Sequence, residues 1–596
     1  MKKINYKLIF IRSFLLLCML VGVNQGLLAQ GFSVHGTVKD ENGEKIIGAN
    51  VLVKGTTNGS MTDEKGNYTL NNLKSGSTIV FSYIGCLTKE VVAGSNHMIN
   101  VVLQERNEKL NEIVVVGYGS MEKKKITSSI ANINSADFNK GNVSNPIQLL
   151  QGRVAGLNIV SPQGDPNGNF TVRLRGLSTL GENTQPLIII DGVIGADLNS
   201  VDPNDIASID VLKDGGAAAI YGTRGSSGVI LITTKTGKKG KARLEYNGTF
   251  TVENKDRSLS VMDKDEYLAN GGTDLGGNTN WMDAITRTAS TQSHNVSLSG
   301  GSDQTTYMAS LNYRDAEGVL LNTGFNQLNG RLNLTQKMLN DKLVVNLNLA
   351  QTSRKSKLGY QDAFRYAMMM PPSAPIYSDS SYYDKYGGYF QSEVSDLYNP
   401  YAIVKQNVND EIKSRLMYNI QADYQILDGL KASVRYSHNN DNTTVGSYKS
   451  KYSYYGDGVN RNGLASKSAS TNENDLFELT GNYTKTVDKF NMSLLAGYSY
   501  QKFTSEFFKT EGGDFLSDAF TYNNLSASGD YKNGKASAES SKESNKLIAF
   551  FGRANFNYAN IIFLTASLRR EGSSRFGSGN KWGYFPGIST GVDLNQ

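Results

Sequence analysis

Residues that could carry catalysis or bind a metal are scarce in this sequence of 596 residues. It contains four histidines and two cysteines, too few to build a His/Cys metal site or a Cys–His dyad. No Ser/His/Asp set and no pair of carboxylates stands at a spacing typical of a hydrolase. We therefore expect that the protein is not an enzyme and that it uses no metal and no cofactor.

The chemistry that the sequence does offer is that of the backbone. Residues 110–119 read LNEIVVVGYG, a run of β-branched residues that ends in two glycines. Such a run in a linker-like context forms a strand with two free edges, which can add to another protein's sheet. A strand of the neighbouring domain is the alternative. The candidate residues are Glu112, Ile113, Val114, Val115, Val116 and Gly117.

A second candidate surface is the aromatic-rich segment from Tyr377 to Tyr401. Aromatic side chains present large flat apolar faces, so this segment could stack against sugar rings. The same rings could instead pack the loop itself or contact a partner protein. The candidate residues are Tyr382, Tyr383, Tyr386, Tyr389 and Phe390.

The N-terminus indicates where these surfaces operate. Four basic residues within the first 12 precede a short apolar run from Phe14 to Val23, as in a secretory signal peptide. We therefore expect residues 1–29 to be a signal peptide and the protein to be exported. The formal net charge is +6, and the signal carries four of these charges, so the remaining chain is close to neutral. This balance predicts no nucleic-acid partner.

Three regions follow the signal. Residues 30–104 contain short alternating strands with turn residues at regular spacing, which predicts a small β-sandwich. Residues 126–239 predict an α/β domain. Its strand at 187–190 has no polar face, so both of its faces must be covered. Helices are expected in this domain after Asn145-Pro146, after Asp202-Pro203 with Ile206 and Ile209 facing inward, and at 214–222.

From residue 240 onward, about 12 strands alternate polar and apolar residues, most of them near the 9–11 residues that cross a bilayer. Their connections alternate between short turns and long loops, as in a barrel assembled from one side. Charged residues make up only 19% of the chain. The pattern favours a membrane β-barrel, and a soluble β-protein is the alternative.

Several sequence segments together resemble the SusC/RagA family of TonB-dependent outer-membrane transporters, and residues 30–104 resemble the carboxypeptidase-regulatory-like domain. The segments are LNEIVVVGYG at 110–119, QLLQGRVAGLNIV at 148–160, IIIDGVIG at 188–195, IASIDVLKDGGAAAIYGTRGSSGVILITTKTGKKG at 206–240 and KWGYFPGISTG at 581–591. The resemblance implies a mainly β fold in which Glu112–Gly117 is the TonB box within a linker at 105–125. Residues 126–239 would then be a plug domain, and residues 240–596 the N-terminal part of a transmembrane barrel.

The resemblance also implies a function. TonB, coupled to ExbB and ExbD, would drive import of a glycan or oligopeptide through a barrel in the outer-membrane lipid, under a SusD-like lipoprotein lid. The plug loops 161–169 and 180–185 would be further candidates for substrate contact. The alternatives are a siderophore or cobalamin receptor without a lid, a surface binding protein, and a non-functional truncated product.

The number of strands departs from the family. Barrels of this type close at about 22 strands, and the sequence predicts about 12 before it ends at Gln596, whereas the family usually ends on an aromatic residue. An open sheet edge is not stable in lipid. We therefore expect the sequence to be the front part of a longer transporter or a disrupted product.

Overall fold

The protein was analysed as a computed structural model, which divides into two compact units at the boundary between residues 112 and 113. The predicted signal peptide, Glu112 and Gly117 lie outside the described residues. The structure describes residues 32–594 except 42, 84–85, 95–96, 105–112, 117, 123–125, 139–142, 144, 161–164, 178–183 and 257–258.

The first unit is a β-sandwich of a three-stranded and a four-stranded sheet, in the orders β4-β1-β7 and β3-β2-β5-β6. Alternate residues of β1, Val34 and Val38 among them, face a core that also contains Val51, Leu70 and Phe81. The strands are β1 (Phe32–Lys39), β2 (Asn50–Val53), β3 (Gly59–Met61), β4 (Asn67–Leu73), β5 (Thr78–Ser82), β6 (Lys89–Val92) and β7 (Val101–Val102).

The second unit begins with the hairpin of β8 and β9, and the plug domain follows it. The plug domain holds a five-stranded sheet in the order β10-β15-β16-β13-β14 and a separate strand pair, β11-β12. Strands β13 and β16 run parallel, and the other pairs are antiparallel. The strands are β8 (Ile113–Val116), β9 (Gly119–Glu122), β10 (Ile130–Asn134), β11 (Leu157–Val160), β12 (Thr171–Leu174), β13 (Leu187–Ile190), β14 (Val193–Ile194), β15 (Ile206–Leu212) and β16 (Val229–Thr234).

The prediction of a plug helix after Asp202-Pro203 is wrong. After Asp202 the chain makes only a single 3₁₀ turn, Pro203–Asp205, and Ile206 and Ile209 belong to β15. A register shift in β15 between Ile206 and Ser208 places both isoleucines in one core. This bulge gives a strand the three-residue spacing of a helix.

The helix expected after Asn145-Pro146 is present, although it is short. Residues Pro146–Leu150 form a 3₁₀ helix, and the Asn145 side chain accepts a hydrogen bond from the backbone N–H of Ile147. Further short helices in the plug domain are Ser135–Asp137, Leu198–Ser200, Gly215–Ala218 and Ala219–Gly225. Within the described ranges, no helix is long and apolar enough to cross a membrane.

The rest of the second unit is one antiparallel sheet of 12 strands in sequence order, which we call the wall. It confirms the predicted partial barrel. The strands are β17 (Gly240–Glu253), β18 (Ala289–Gly301), β19 (Thr305–Glu317), β20 (Gly324–Met338), β21 (Leu343–Lys357), β22 (Asn407–Leu427), β23 (Leu430–Lys449), β24 (Leu464–Val487), β25 (Phe490–Gly513), β26 (Ser537–Tyr558), β27 (Ile562–Ser573) and β28 (Trp582–Val592).

The connections of the wall alternate in length as expected, with turns of two to four residues at one end and longer loops at the other. The longer loops contain the helices Lys264–Ala269, Trp281–Ile285, Asp362–Met369, Ser381–Tyr386, Pro400–Gln406, Tyr455–Asp457, Asp518–Asn523, Leu525–Ala527 and Gly529–Lys532. Strands β22 to β26 have 20–24 residues, so part of the expected loops at 438–475 and 501–547 is strand. A β-ladder pairs through its backbone and can continue where both faces are polar.

The wall has two different faces. Residues such as Leu494 and Phe550 are exposed, whereas Leu495, Phe551 and Leu476 are buried against the plug domain. Strand β13 is covered on both faces, as the sequence predicted. Its residue Ile190 lies in a core that includes the wall residues Ala350 and Met417, and Ile189 lies in the core of Leu476 and Phe551.

Candidate functional site

The segment expected to be the TonB box is one arm of a hairpin in the second unit. Strand β8 pairs antiparallel with β9, in the register Ile113 with Glu122 and Val116 with Gly119. The described part of the candidate segment, 113–116, is therefore already paired. The hairpin lies near the end of the wall with the short turns, because Gly119 and Glu122 line a cavity together with Thr484 and Asn491.

Tyr118, at the turn of this hairpin, fastens it to the wall. Its hydroxyl donates a hydrogen bond of 2.6 Å to Oε1 of Glu478 on β24. Its ring stacks on Phe551 of β26, with centroids 4.3 Å apart, and on Tyr221 of the plug domain at 5.8 Å. Burial, together with the negative charge of Glu478, raises the pKa of Tyr118 well above its ordinary value, so the hydroxyl stays a donor.

Glu478 is itself held from a second side. Its Oε2 atom accepts a hydrogen bond of 3.3 Å from Nη1 of Arg435 on β23. The Arg435 guanidinium also packs against the plug turn at Gly192, where a Cβ atom would come within 2.8 Å of its Cζ. Gly192 has a φ of +87°, so this turn needs glycine for both conformation and space. One carboxylate thus lies between the hairpin and a plug turn.

Ion pairs fasten the rest of the plug domain. The Asp191 carboxylate accepts hydrogen bonds from Arg331 on β20 at 3.0 Å and from the Thr234 hydroxyl at 2.8 Å. Asp197 pairs with Arg415 on β22 at 2.9 Å. Burial opposes ionisation of Asp197, yet the Arg415 charge and the Asn199 N–H together leave the pKa of this carboxyl below its ordinary value.

The aromatic candidates of the loop at 358–406 lie together. Tyr386 is buried, Tyr383 stands 5.3 Å from the Phe390 ring, and Tyr389 stands 4.8 Å from Tyr377. Tyr382 is 53% exposed, and the Lys385 ammonium lies 4.3 Å from its ring centre. Most of these rings therefore pack on each other, and Tyr382 presents the largest free face of the five candidates.

A cavity of about 790 Å³ opens between the plug domain and the last strands of the wall, toward the long loops. Gln185, at the end of one candidate plug loop, lines it together with Arg224, Glu571 and Trp582. Residues 166–169 of the other candidate loop line a separate small cavity beside Arg354 and Arg415. The described parts of the two candidate loops thus face different spaces.

Sequence reasoning missed the wall residues that contact the hairpin. Glu478 is a carboxylate on β24 between two exposed apolar neighbours, Phe477 and Leu479. This alternation could have placed Glu478 on the inner face. No local signal connects it to Tyr118, which lies 360 residues earlier in the chain.

Known proteins share this architecture. A model of the CarboxypepD_reg-like domain matches residues 34–115, and a model of the TonB-dependent receptor plug domain matches residues 122–229. The chain is 33% identical to TonB-dependent receptor SusC of Bacteroides thetaiotaomicron over 95% of its own length and 59% of the relative's. It is 32% identical to TonB-dependent receptor P3 of Formosa agariphila over 94% and 56% of the two lengths.

These matches place the chain in the family of SusC-like TonB-dependent receptors. It spans between half and two thirds of the length of the relatives that it matches. Its fold is similar to that of the RagAB peptide importer in its open-open state, with a TM-score of 0.69, 23% identity and coverage of 80% of this chain and 58% of that one. A more distant similarity, with a TM-score of 0.50 and 17% identity, is to the siderophore receptor PirA of Acinetobacter baumannii, over 81% of this chain and 61% of that one.

Proposed function

We propose that the chain serves TonB-dependent import of a nutrient, a glycan or an oligopeptide, across the outer membrane. Residues 112–117 are the TonB box in this proposal, and the plug domain closes the path until TonB acts. The observation that carries the proposal is the hairpin of β8 and β9, because it presents a paired strand at the short-turn end, held through Tyr118. A strand that can leave its partner is what strand addition by TonB requires.

The faces of the wall support a location in the outer membrane. Along β25, the residues that face away from the plug domain run Phe490, Met492, Leu494, Ala496, Tyr498 and Tyr500, and Lys502 follows. A stretch of this length matches the apolar belt of about 25 Å that barrels turn toward lipid, with aromatics at its ends. The predicted signal peptide at 1–29 would direct export.

The partners and the solute extend the proposal. TonB would be energised by ExbB and ExbD, and a SusD-like lipoprotein would cover the long-loop end. RagAB, which shares the fold, is a peptide importer, and this supports an oligopeptide as one solute class. Tyr382 and its aromatic neighbours would contact the solute or the lipoprotein.

The test is a pair of substitutions in β8 of the full chain, made in the natural host. Val115→Pro removes a backbone N–H that strand addition needs, whereas Val115→Ala keeps it. We expect Val115→Pro to abolish growth on the imported nutrient, with surface binding of that nutrient retained. Val115→Ala should change growth by less than twofold.

Other growth results would contradict parts of the proposal. If Val115→Pro grows like the parent while the protein still reaches the outer membrane, the TonB-box assignment is wrong. If neither glycans nor peptides support growth through the protein and no lipoprotein co-purifies, a receptor without a lid replaces the importer.

A further inference from the structure

A buried arginine without a partner lies between the plug domain and the wall. Arg314 is on β19, and its side chain is turned to the plug side of the wall with only 8% of its surface exposed. Its Nε atom is buried and has no hydrogen-bond partner, and no salt bridge reaches its guanidinium from the described residues. An ionised side chain buried in this way normally has a counter-charge or a set of hydrogen-bond acceptors.

Asp202 of the plug domain does not act as a hydrogen-bonded counter-charge for Arg314. Its charge acts on Arg314, but its Oδ1 atom accepts two hydrogen bonds from Asn204, one from the backbone N–H and one from Nδ2, each of 2.9 Å. The next carboxylate of the plug domain, Asp205, accepts from Ser310 and Asn312 on the same strand as Arg314. Among the described residues, the guanidinium therefore has an attracting charge near it but no hydrogen-bonded acceptor.

Arg314 borders a cavity of about 270 Å³. Lys235 also lines this cavity, so two cationic residues border it. Among the described residues around the cavity there is no Asp or Glu. The polar lining is completed by Ser135, Asn204, Thr249, Thr251, Thr291 and Ser293.

The sheet register aligns these groups. Thr249 of β17 is directly opposite Ser293 of β18, and Ser293 is directly opposite Arg314 of β19. Thr251 and Thr291 form the next row. Directly opposite side chains on one face of a sheet have Cβ atoms about 5 Å apart. Two hydroxyl groups and one guanidinium therefore lie in a single row along the cavity wall.

We infer that this cavity is a binding site for an oxyanion, with Arg314 as its principal ligand. A planar guanidinium donates two parallel hydrogen bonds to a carboxylate or sulfate. The hydroxyls of Thr249 and Ser293 supply further donors, and Lys235 adds charge. The oxyanion is either free or carried by the solute, and a role in selecting acidic solutes rests on the proposed import. Binding itself does not depend on import.

The experiment uses the full chain, purified in detergent, and titration calorimetry at constant ionic strength with chloride as the background anion. Sulfate and acetate probe a free oxyanion, and glucuronate against glucose probes a carboxylate on a sugar. We expect Arg314→Gln to weaken oxyanion binding at least tenfold. Thr249→Val, which removes one hydroxyl at nearly constant volume, should weaken it severalfold, and Arg365→Gln, in a loop pair with Asp396, should leave it unchanged.

Thermal unfolding separates a ligand residue from a structural one. Without oxyanion, Arg314→Gln should unfold at the same temperature as the parent or higher, because the substitution removes a charge that has no partner. With oxyanion, only the parent should gain stability. Glucuronate binding without glucose binding would assign the site to the solute, and sulfate or acetate binding alone would assign it to a free ion.

Three results would overturn the inference. The first is the absence of binding by the folded parent for all three oxyanions. The second is equal binding by the parent and Arg314→Gln. A fall in unfolding temperature for Arg314→Gln without oxyanion would also overturn it, since it would show that Arg314 holds the fold. Loss of import in Val115→Pro with oxyanion binding intact would leave this site standing and separate it from the import mechanism.

Discussion

Tyr118 joins three parts of the second unit through one side chain. Its hydroxyl bonds to the wall carboxylate Glu478, and its ring lies between Phe551 of the wall and Tyr221 of the plug domain. Because it stands at the turn of the β8–β9 hairpin, these contacts decide how long the hairpin stays in place. The hydrogen bond is charge-assisted, which makes it stronger than one between neutral groups.

Tyr118→Phe should loosen the hairpin without removing it. The substitution keeps the stacked ring and deletes the donor to Glu478, which costs about 1–3 kcal/mol for a buried acceptor. We expect a cysteine introduced at Met121, in a Cys86→Ser background, to react with a maleimide at least fivefold faster. The reaction rate in outer-membrane preparations is the measurement.

A tyrosine on the other face of the wall provides the control. Tyr498 packs against Phe550 in a tilted arrangement, with centroids 5.3 Å apart, and lies among residues that face away from the plug domain. Tyr498→Phe should leave the labelling rate unchanged. Equal rates in Tyr118→Phe and the parent would mean that the hydroxyl does not hold the hairpin.

Asp530 gives the long loops a dependence on pH. A hydrogen bond from Arg461 of the preceding long loop, supported by the Gly513 N–H, lowers the pKa of Asp530 below its ordinary 3.8. Its contribution to stability is therefore complete above about pH 4 and is lost as the pH falls through the lowered pKa. Hydrogen exchange of residues 514–536, corrected for intrinsic rates, should accelerate below pH 4.

In Asp530→Asn, residues 514–536 should exchange fast at both pH 3 and pH 6, because the asparagine amide carries no negative charge to pair with Arg461. Asp379→Asn changes an exposed carboxylate in a different long loop and should behave like the parent. If the parent exchanges equally at pH 3 and pH 6, this contact does not control the loop.

At the scale of elements, the alternation of polar and apolar residues predicted the wall strands correctly because each turns one face to the plug domain. Alternation no longer marks the parts of β23 and β24 that lie toward the long loops. Consecutive pairs there, such as Asn440 with Glu473 and Asp441 with Asn472, make both faces polar. The prediction of a helix after Asp202 was also wrong because the residue pattern misrepresented the local structure. A bulge in β15 gave Ile206 and Ile209 a spacing that sequence patterns assign to helices.

The boundary of the apolar belt can be tested within a single strand. Leu494 lies in the middle of the outward residues of β25, and Thr504 lies beyond Lys502 on the same face. Leu494→Lys should cost about 2–4 kcal/mol in a bilayer, and Thr504→Lys about 0–1 kcal/mol. The fraction of folded protein in outer membranes, read from heat-modifiable electrophoretic mobility, should fall only for Leu494→Lys.

Equal effects of the two lysine substitutions would contradict the proposed position of the apolar belt on β25. A drop for Thr504→Lys alone would move the belt toward the long loops. Both variants change one residue to lysine on the same face of the same strand, so a difference in translation or export does not explain a difference between them.

At the scale of the molecule, the order of a sandwich, a plug domain and a wall followed from local patterns. The enclosure of the plug domain was predictable from Leu187–Ile190, since a strand without a polar face needs cover on both sides. The contacts that hold the plug domain in place were not predictable, because pairs such as Asp191 with Arg331 and Ser310 with Asp205 join residues more than 100 positions apart.

The first unit should fold alone. It has its own core between two sheets, with Val34, Leu70 and Phe81 almost fully buried. A fragment of residues 31–104 should be monomeric and unfold in one cooperative transition in urea, followed by circular dichroism. Phe81→Ala should lose about 3–5 kcal/mol. A fragment without a cooperative transition would mean that this sandwich depends on the rest of the chain.

The pairing of the hairpin determines how it would respond to mechanical force. Ile113 and Glu122 are partners at its open end, and Tyr118 stands at the opposite end. A pull on the chain before Ile113, resisted where the chain continues after Glu122, separates the ladder one pair at a time instead of shearing all pairs together. The opening force therefore stays small until the separation reaches Tyr118, so under the proposed import mechanism the tyrosine would set the threshold for drawing out the plug domain.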